Sequence, residues 1–305
     1  MTGGLPRRTL LLGGLAGWAA ACGVPADPAP HPALRVPRPA GQFAFLTHTG
    51  DPAEAARALR ALSGDDVMVG LGPPLSPGLP TMPAFPGDVL IPARSNPSAF
   101  VQLETDDADS GERLDALLAG LPFTTAWRTP VHRDVVAGSR PLQRNPFGHV
   151  EGQTNPVDPA AVLLPDGSSL AAVRVIRLAH PLWDADSPQL RDRIIGRRPD
   201  GTWLDGTPPT EAPRYPDDPD GVVIALDSHA RAMNPRTADS PSPRMLRRSW
   251  TYPDDTADGV LFMAFQNDFA AGFAVAQSRL PKDALNPYLL AVGGGYFSVP
   301  GSGTG

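Results

Sequence analysis

Short apolar runs and helix-period runs alternate along residues 42–128. The runs "QFAFLTHT" (42–49), "VMVGLG" (67–72) and "AFVQLETD" (99–106) have strand length and apolar character. Between them, "DPAEAARALRALSG" (51–64) and "SGERLDALLAGL" (110–121) place Ala and Leu at helical spacing. Gly64 stops the first helix, and Ser110 stands where an N-cap is expected for the second. A further strand is predicted near "TTAWRT" (124–129). This strand and helix order is that of a ferredoxin-like α+β unit.

The second half repeats the order more loosely. A strand is predicted over 169–179, a helix over 187–196, a buried strand over 259–266 and a helix over 269–280. The Pro-, Asp- and Gly-rich stretch 199–221 reads as a surface loop. "VGGGYF" (292–297) lacks the lysine and the strand-loop-helix context of a phosphate loop, so it reads as a glycine-rich turn before a strand. The prediction is an α+β chain of two ferredoxin-like halves, 42–140 and 141–305, with antiparallel sheets and peripheral helices.

Composition removes several functions. The net charge is -6 with no long basic run in the body, which excludes a nucleic-acid surface. The one cysteine, Cys22, allows no internal disulfide and no thiolate zinc cluster. The six histidines (His31, His48, His132, His149, His180 and His229) show no paired-ligand spacing, so a metal site built from protein alone has little support. No G-x-S-x-G occurs, which removes a serine hydrolase.

The N-terminus carries a different signal. "LPRRTLLLGGLAGWAAAC" holds Arg7 and Arg8, then an uncharged apolar run too short to span a membrane comfortably. Residues 1–22 read as a twin-arginine export signal. Cys22 ends the run behind small residues, as at a lipoprotein processing site. The expectation is an exported protein at the outer face of the cell membrane or in the periplasm, lipid-anchored at Cys22. Residues 23–41 read as a Pro-rich linker.

Three polar clusters in the second half carry the candidate chemistry: "GHVEGQTNP" (148–156), "DSHARAMNPR" (227–236) and "RMLRRSWTY" (244–252). Taken singly, Glu151, His229 and the arginines each have an ordinary surface explanation. Taken together they supply three roles that a haem enzyme using peroxide needs. These are an axial imidazole, a group that moves a proton between the peroxide oxygens, and a cation for the developing charge.

On these motifs the chain resembles the dye-decolorizing peroxidases. Their acid motif, G-x-x-D-G-x-x-N-P, aligns with Gly148, Gly152, Asn155 and Pro156. Their haem motif, H-x-R-x-x-N-P-R, is matched at every fixed position by residues 229–236. Their I-L-R-R-G-x-x-Y segment is matched by "MLRRSWTY" (245–252), with Ser249 at the usual glycine. The likeness covers most of residues 42–301. It implies a fold of the dimeric α+β barrel type, with haem b held by the C-terminal half. It implies His229 as axial ligand to the haem iron, Glu151 and Arg247 as the catalytic pair, and Val260 and Phe262 over the distal haem face. Asp283 is implied as the carboxylate that bonds the haem histidine, and a helix N-cap is its alternative reading. The implied substrates are hydrogen peroxide and an organic reductant such as a dye or phenolic. The competing reading is a haem-binding, iron-acquiring protein on the same fold, resembling a deferrochelatase, with weak turnover; homo-oligomerisation is left open. Glu151 departs from the family's Asp by one methylene. Replacing it by Asp is therefore expected to keep activity.

Overall fold

A computed structural model describes residues 30–34, 37–105, 110–137, 142–156, 158–240, 242–255 and 258–301. The export-like segment, with Arg7, Arg8 and Cys22, lies outside the described residues.

The first half runs β1 (Ala40–His48), α1 (Pro52–Arg60), β2 (Val67–Leu71), β3 (Ala99–Thr105), α2 (Gly111–Leu118) and β4 (Phe123–His132). Its strands pair in the order β4-β1-β3-β2. After a small three-stranded sheet, β5 (Asp134–Val136), β6 (Leu142–Arg144) and β7 (Val150–Glu151), the second half begins at β8 (Ser169–Leu178). Three helices follow it: α3 (His180–Ala185), α4 (Pro188–Ile195) and α5 (His229–Met233). Then come β9 (Leu246–Pro253), β10 (Asp258–Gln266), α6 (Phe273–Arg279) and β11 (Leu289–Val299). These strands pair in the order β11-β8-β10-β9, the same permutation as the first half. Each half is therefore ferredoxin-like. The halves close into one eight-stranded antiparallel barrel where Leu71 pairs with Ser298 and His132 with Thr251.

Local chemistry explains most element boundaries. Asp51 Oδ1 accepts the Glu54 amide at 2.9 Å, with Pro52 at the first helical position of α1. Ser187 Oγ accepts from the Leu190 amide at 3.2 Å, and Gly196, at φ 85°, ends α4 in the left-handed conformation. A helix of nine residues such as α1 is marginal alone. It is held by packing Ala55, Ala56 and Leu59 on the outer face of the first sheet. Ser110 stands at the N-cap of α2, but its hydroxyl makes no capping bond and, among the described residues, is buried without a partner.

The strands alternate between two environments. Phe43, Phe45, Phe100, Trp250, Tyr252 and Phe297 point into the barrel and fill it. Ala44, Leu46, Val69 and Val101 point outward, under α1 and α2. The second sheet has the same outward face, but there the covering layer leaves a cavity.

Three sequence readings need correction. Gly293, Gly294 and Gly295 lie inside β11, not in a turn before it. Pairing with β8 shifts register at Val292, and a Cβ on Gly293 or Gly294 would sit 2.2 Å from Arg94 O or 2.1 Å from Val173 O. The glycines allow two backbones to approach, as at a bulge. The 199–221 stretch is a loop, yet it folds over its own core of Trp203 and Tyr215, joined by Ile224. Trp203 Nε1 donates to Glu211 O at 3.0 Å and ties that loop across its width. The segment read as linker enters the core at its described part: His31, Ala33 and Leu34 are buried, and Leu34 O accepts from Arg248 Nη2 at 2.8 Å.

Candidate active site

A cavity of about 510 Å³ lies between the outer face of β8–β11 and the layer formed by α4–α6 and β5–β7. Strand alternation sends Ile176, Val260, Phe262, Arg247 and Ser249 to this face, while their neighbours fill the barrel. His229, Glu151 and Arg247 all line this one cavity, though they are distant in sequence.

His229 opens α5. Its Nδ1 is 2.6 Å from Asp283 Oδ2, and Asp283 is 4% exposed. With Nδ1 donating to that carboxylate, Nε2 keeps its lone pair for a metal. The other oxygen of Asp283 accepts the Leu285 amide at 2.8 Å. One oxygen thus serves the histidine and the other closes a local turn; Asp283 ends the 3-10 turn Leu280–Lys282 and is not a helix N-cap. The loop before α5 is clipped by Asp218, which accepts from the amides of Val222 at 2.7 Å and Ile224 at 2.9 Å and from Arg231 Nη1 at 3.0 Å. Arg231 also donates to Ile224 O at 2.7 Å and Asp218 O at 2.7 Å. That network fixes the start of the helix that carries His229.

Glu151 is placed by β-pairing. β6 and β7 bring Gln143 opposite Glu151, with Gly148 at φ 89° and Gly152 at φ 98° on either side of the β7 strand. Left-handed backbone at both positions favours glycine. Gln143 Nε2 donates to Glu151 Oε1 at 2.5 Å, and Ser249 Oγ donates to the same oxygen. Gln143 Nε2 also reaches Ser249 Oγ at 2.6 Å, and Arg133 Nε donates to Gln143 Oε1. The longer carboxylate and the serine at the glycine position therefore meet: the extra methylene carries Glu151 to a hydroxyl that glycine would lack.

Arg247 is held by the asparagine of the acid motif. Asn155 Oδ1 accepts from Arg247 N at 3.0 Å and Nε at 3.3 Å, and Asn155 Nδ2 donates to Arg247 O at 2.9 Å. Desolvation lowers the guanidinium's pKa, and the charge of Glu151 opposes that shift. An arginine stays protonated through such a change.

Sequence reasoning missed several residues here. Gln143 carried no motif, because its role depends on strand register. Arg197 lies 3.7 Å over the Trp203 ring, and its Nη1 donates to Gln153 Oε1 at 2.6 Å. Arg236 lies 6.0 Å from the same ring. Arg236 closes the 227–236 motif without an assigned task, and Arg197 stood in none of the three motifs.

The site fits haem. One wall is apolar (Ile176, Val260 and Phe262), a buried carboxylate orients the one histidine placed as a ligand, and Arg197 and Arg236 suit carboxylate side chains of a porphyrin. Among the described residues no group of three or more His, Cys, Asp or Glu could hold a bare metal ion.

Comparisons with known proteins agree. Residues 143–304 match the family model for Dyp-type peroxidase, C-terminal. The deferrochelatase of Escherichia coli (strain K12) is 32% identical over 268 residues, covering 77% of this chain and 63% of that protein. The chain thus spans less than two thirds of the length of the curated relatives it matches. Among solved structures, a DyP-type peroxidase from Cellulomonas bogoriensis is 27% identical with a TM-score of 0.73, covering 87% of this chain and 90% of its own. DtpA from Streptomyces lividans, solved as an oxyferrous complex, is 27% identical with a TM-score of 0.75, covering 87% and 89%.

Proposed function

Because this chain belongs to the Dyp-type peroxidase family, we propose that it is a haem peroxidase that reduces hydrogen peroxide and oxidises an organic substrate. The observation that carries this reading is the meeting of His229, Glu151 and Arg247 on one haem-sized cavity.

Haem supplies the redox equivalents when bound. His229 would hold it through Nε2, with Asp283 orienting the imidazole and making it more electron-donating. Arg197 and Arg236 would balance the carboxylates of the porphyrin. Glu151 takes the proton from the attacking oxygen of hydrogen peroxide and returns it to the departing oxygen, which leaves as water. Arg247 offsets the negative charge that grows on the departing oxygen. Gln143 and Ser249 hold Oε1 of Glu151, which leaves its other carboxylate oxygen to carry the proton.

A second reading is haem-iron release. It is favoured by the relatives named deferrochelatase. Glu151 and Arg247 have no evident task in that chemistry, so the peroxidase reading accounts for more of the site. Dyes and phenolics are the proposed reductants. Export through the segment 1–22, with a lipid on Cys22, is proposed on the sequence alone; among the described residues no helix is long and apolar enough to cross a membrane.

The test is a visible spectrum of the haem-loaded protein before and after peroxide. A Soret band that changes on peroxide and recovers with a reductant is expected. His229→Ala is expected to lose haem or most of its affinity. A Soret band inert to peroxide favours the iron-release reading, and an unchanged spectrum in His229→Ala removes the ligand assignment.

A further inference from the structure

The cavity is bounded in part by Arg133 and Arg248, but the polar chain continues past them into the barrel. Glu104 lies there on β3, 3% exposed, and its Oε2 accepts from the Arg38 amide at 2.9 Å. The charged groups around it are Arg133 beyond β4, Arg248 on β9 and Arg38 from the N-terminal segment, while β1 places Gly41 opposite it. Burial pushes the Glu104 carboxyl up to about 7 against the pull of these cations.

Several buried polar atoms of side chains that face the barrel interior have no hydrogen-bond partner in the protein among the described residues. They are Glu104 Oε1, both amide atoms of Gln102 and Trp250 Nε1. Gln102 is fully buried two residues from Glu104, on the same face of β3. The Trp250 ring lies 5.4 Å under Arg133. Buried polar groups are nearly always bonded, so each of these atoms calls for a water partner. From Arg133 the chain leads outward: its Nε donates to Gln143, which donates to Glu151.

We propose that Glu104 is the inner proton-exchange partner of Glu151, joined to it by water held on Gln102 and Trp250 and tuned through the Arg133–Gln143 bridge. One proton leaves the Glu104 carboxyl, passes along the water and arrives at the Glu151 carboxylate; the return is the reverse. No electron moves and no co-reactant is needed. Glu104 acts through Glu151 and touches neither substrate nor cofactor. The inference rests on Glu151 as the acid of the proposed reaction.

The test follows the infrared carboxyl band of the full chain, with and without haem, as pH is varied. A band titrating near neutral pH is expected, absent in Glu104→Gln and moved in midpoint by Glu151→Gln. In the loaded protein, Glu104→Gln keeps the haem spectrum, since Glu104 does not line the cavity. Its reaction with peroxide slows about tenfold, less than loss of a direct acid–base group, and loses its inflection near neutral pH. Gln102→Leu, which removes the amide but keeps its bulk, keeps the band and slows the reaction likewise. It serves as the second variant should Glu104→Gln not fold. A band that survives Glu104→Gln, a midpoint unmoved by Glu151→Gln, or an unchanged pH profile in both Glu104→Gln and Gln102→Leu overturns the proposal. If the parent takes up no haem, the peroxidase reading fails, and the infrared coupling of Glu104 to Glu151 still decides this one.

Discussion

At the residue scale, the Glu151–Ser249 pair decides how the acid is presented. A hydrogen bond to a charged group is worth about 1.5–3 kcal/mol, so losing one of the two donors on Glu151 Oε1 shifts the carboxylate. Glu151→Gln is expected to slow the reaction with peroxide by about 100-fold, as loss of a positioned acid–base group does. The sequence alone suggested that Glu151→Asp would keep activity. The structure changes that expectation, because Asp is one methylene short of the Ser249 hydroxyl and the Gln143 amide together. Glu151→Asp is expected to be slower than the parent, and Glu151→Asp with Ser249→Gly is expected to recover part of the loss. Stopped-flow absorbance at the Soret band measures all three; a single Asp variant as fast as the parent would remove the pairing.

At the element scale, α5 is too short to stand by its own helical bonds. Its position comes from the Asp218–Arg231 clip and from Asp283. Arg231 shares a motif with His229 but does not line the cavity: it bonds the loop. Arg231→Met keeps the stem's bulk and removes those bonds. Amide exchange across residues 222–233 is then expected to rise about tenfold or more, as local opening becomes easier, while exchange in β8 and β10 stays slow. Hydrogen exchange read by mass spectrometry checks this, and unchanged protection at 222–233 would show that packing alone holds the loop.

At the scale of the whole molecule, the barrel carries a buried carboxyl at a cost that depends on pH. Glu104 is raised to about 7 by burial, whereas the unfolded chain titrates it near the ordinary 4.5. Below about 4.5 it is protonated in both states and costs nothing extra. As pH rises toward 7 the unfolded chain ionises first, so the folded state loses ground, and above 7 the full cost is present. By linkage that cost is about 3 kcal/mol. Glu104→Gln is expected to raise stability at pH 8 by about this amount and to change it little at pH 4. Urea unfolding at the two pH values measures it, and an equal effect at both would show that Glu104 is ionised throughout or exposed.

Much of this was legible in the chain. Hydrophobic period marked β1, α1, β2, β3, α2, β8, α4 and β10, because each buries one face and repeats at its own spacing. Three motifs named His229, Glu151 and Arg247, because haem chemistry restricts residue type and local spacing together. Strand β9 hid inside a motif rich in arginine, since Arg248 faces the barrel interior where an apolar side chain is the rule. The glycines of β11 read as a turn because the backbone approach they allow lies in another strand. The sequence by itself determined the ferredoxin-like order of the first half, most of that of the second, and the residues suited to the chemistry, for these depend on local pattern. Only the tertiary structure decided that the two sheets close into one barrel, that Gln143 and Ser249 hold the acid, and that Glu104 waits behind it. Those outcomes rest on register and on contacts between residues far apart in the chain, such as Gln143 with Ser249, 106 positions apart, and no local pattern encodes such contacts.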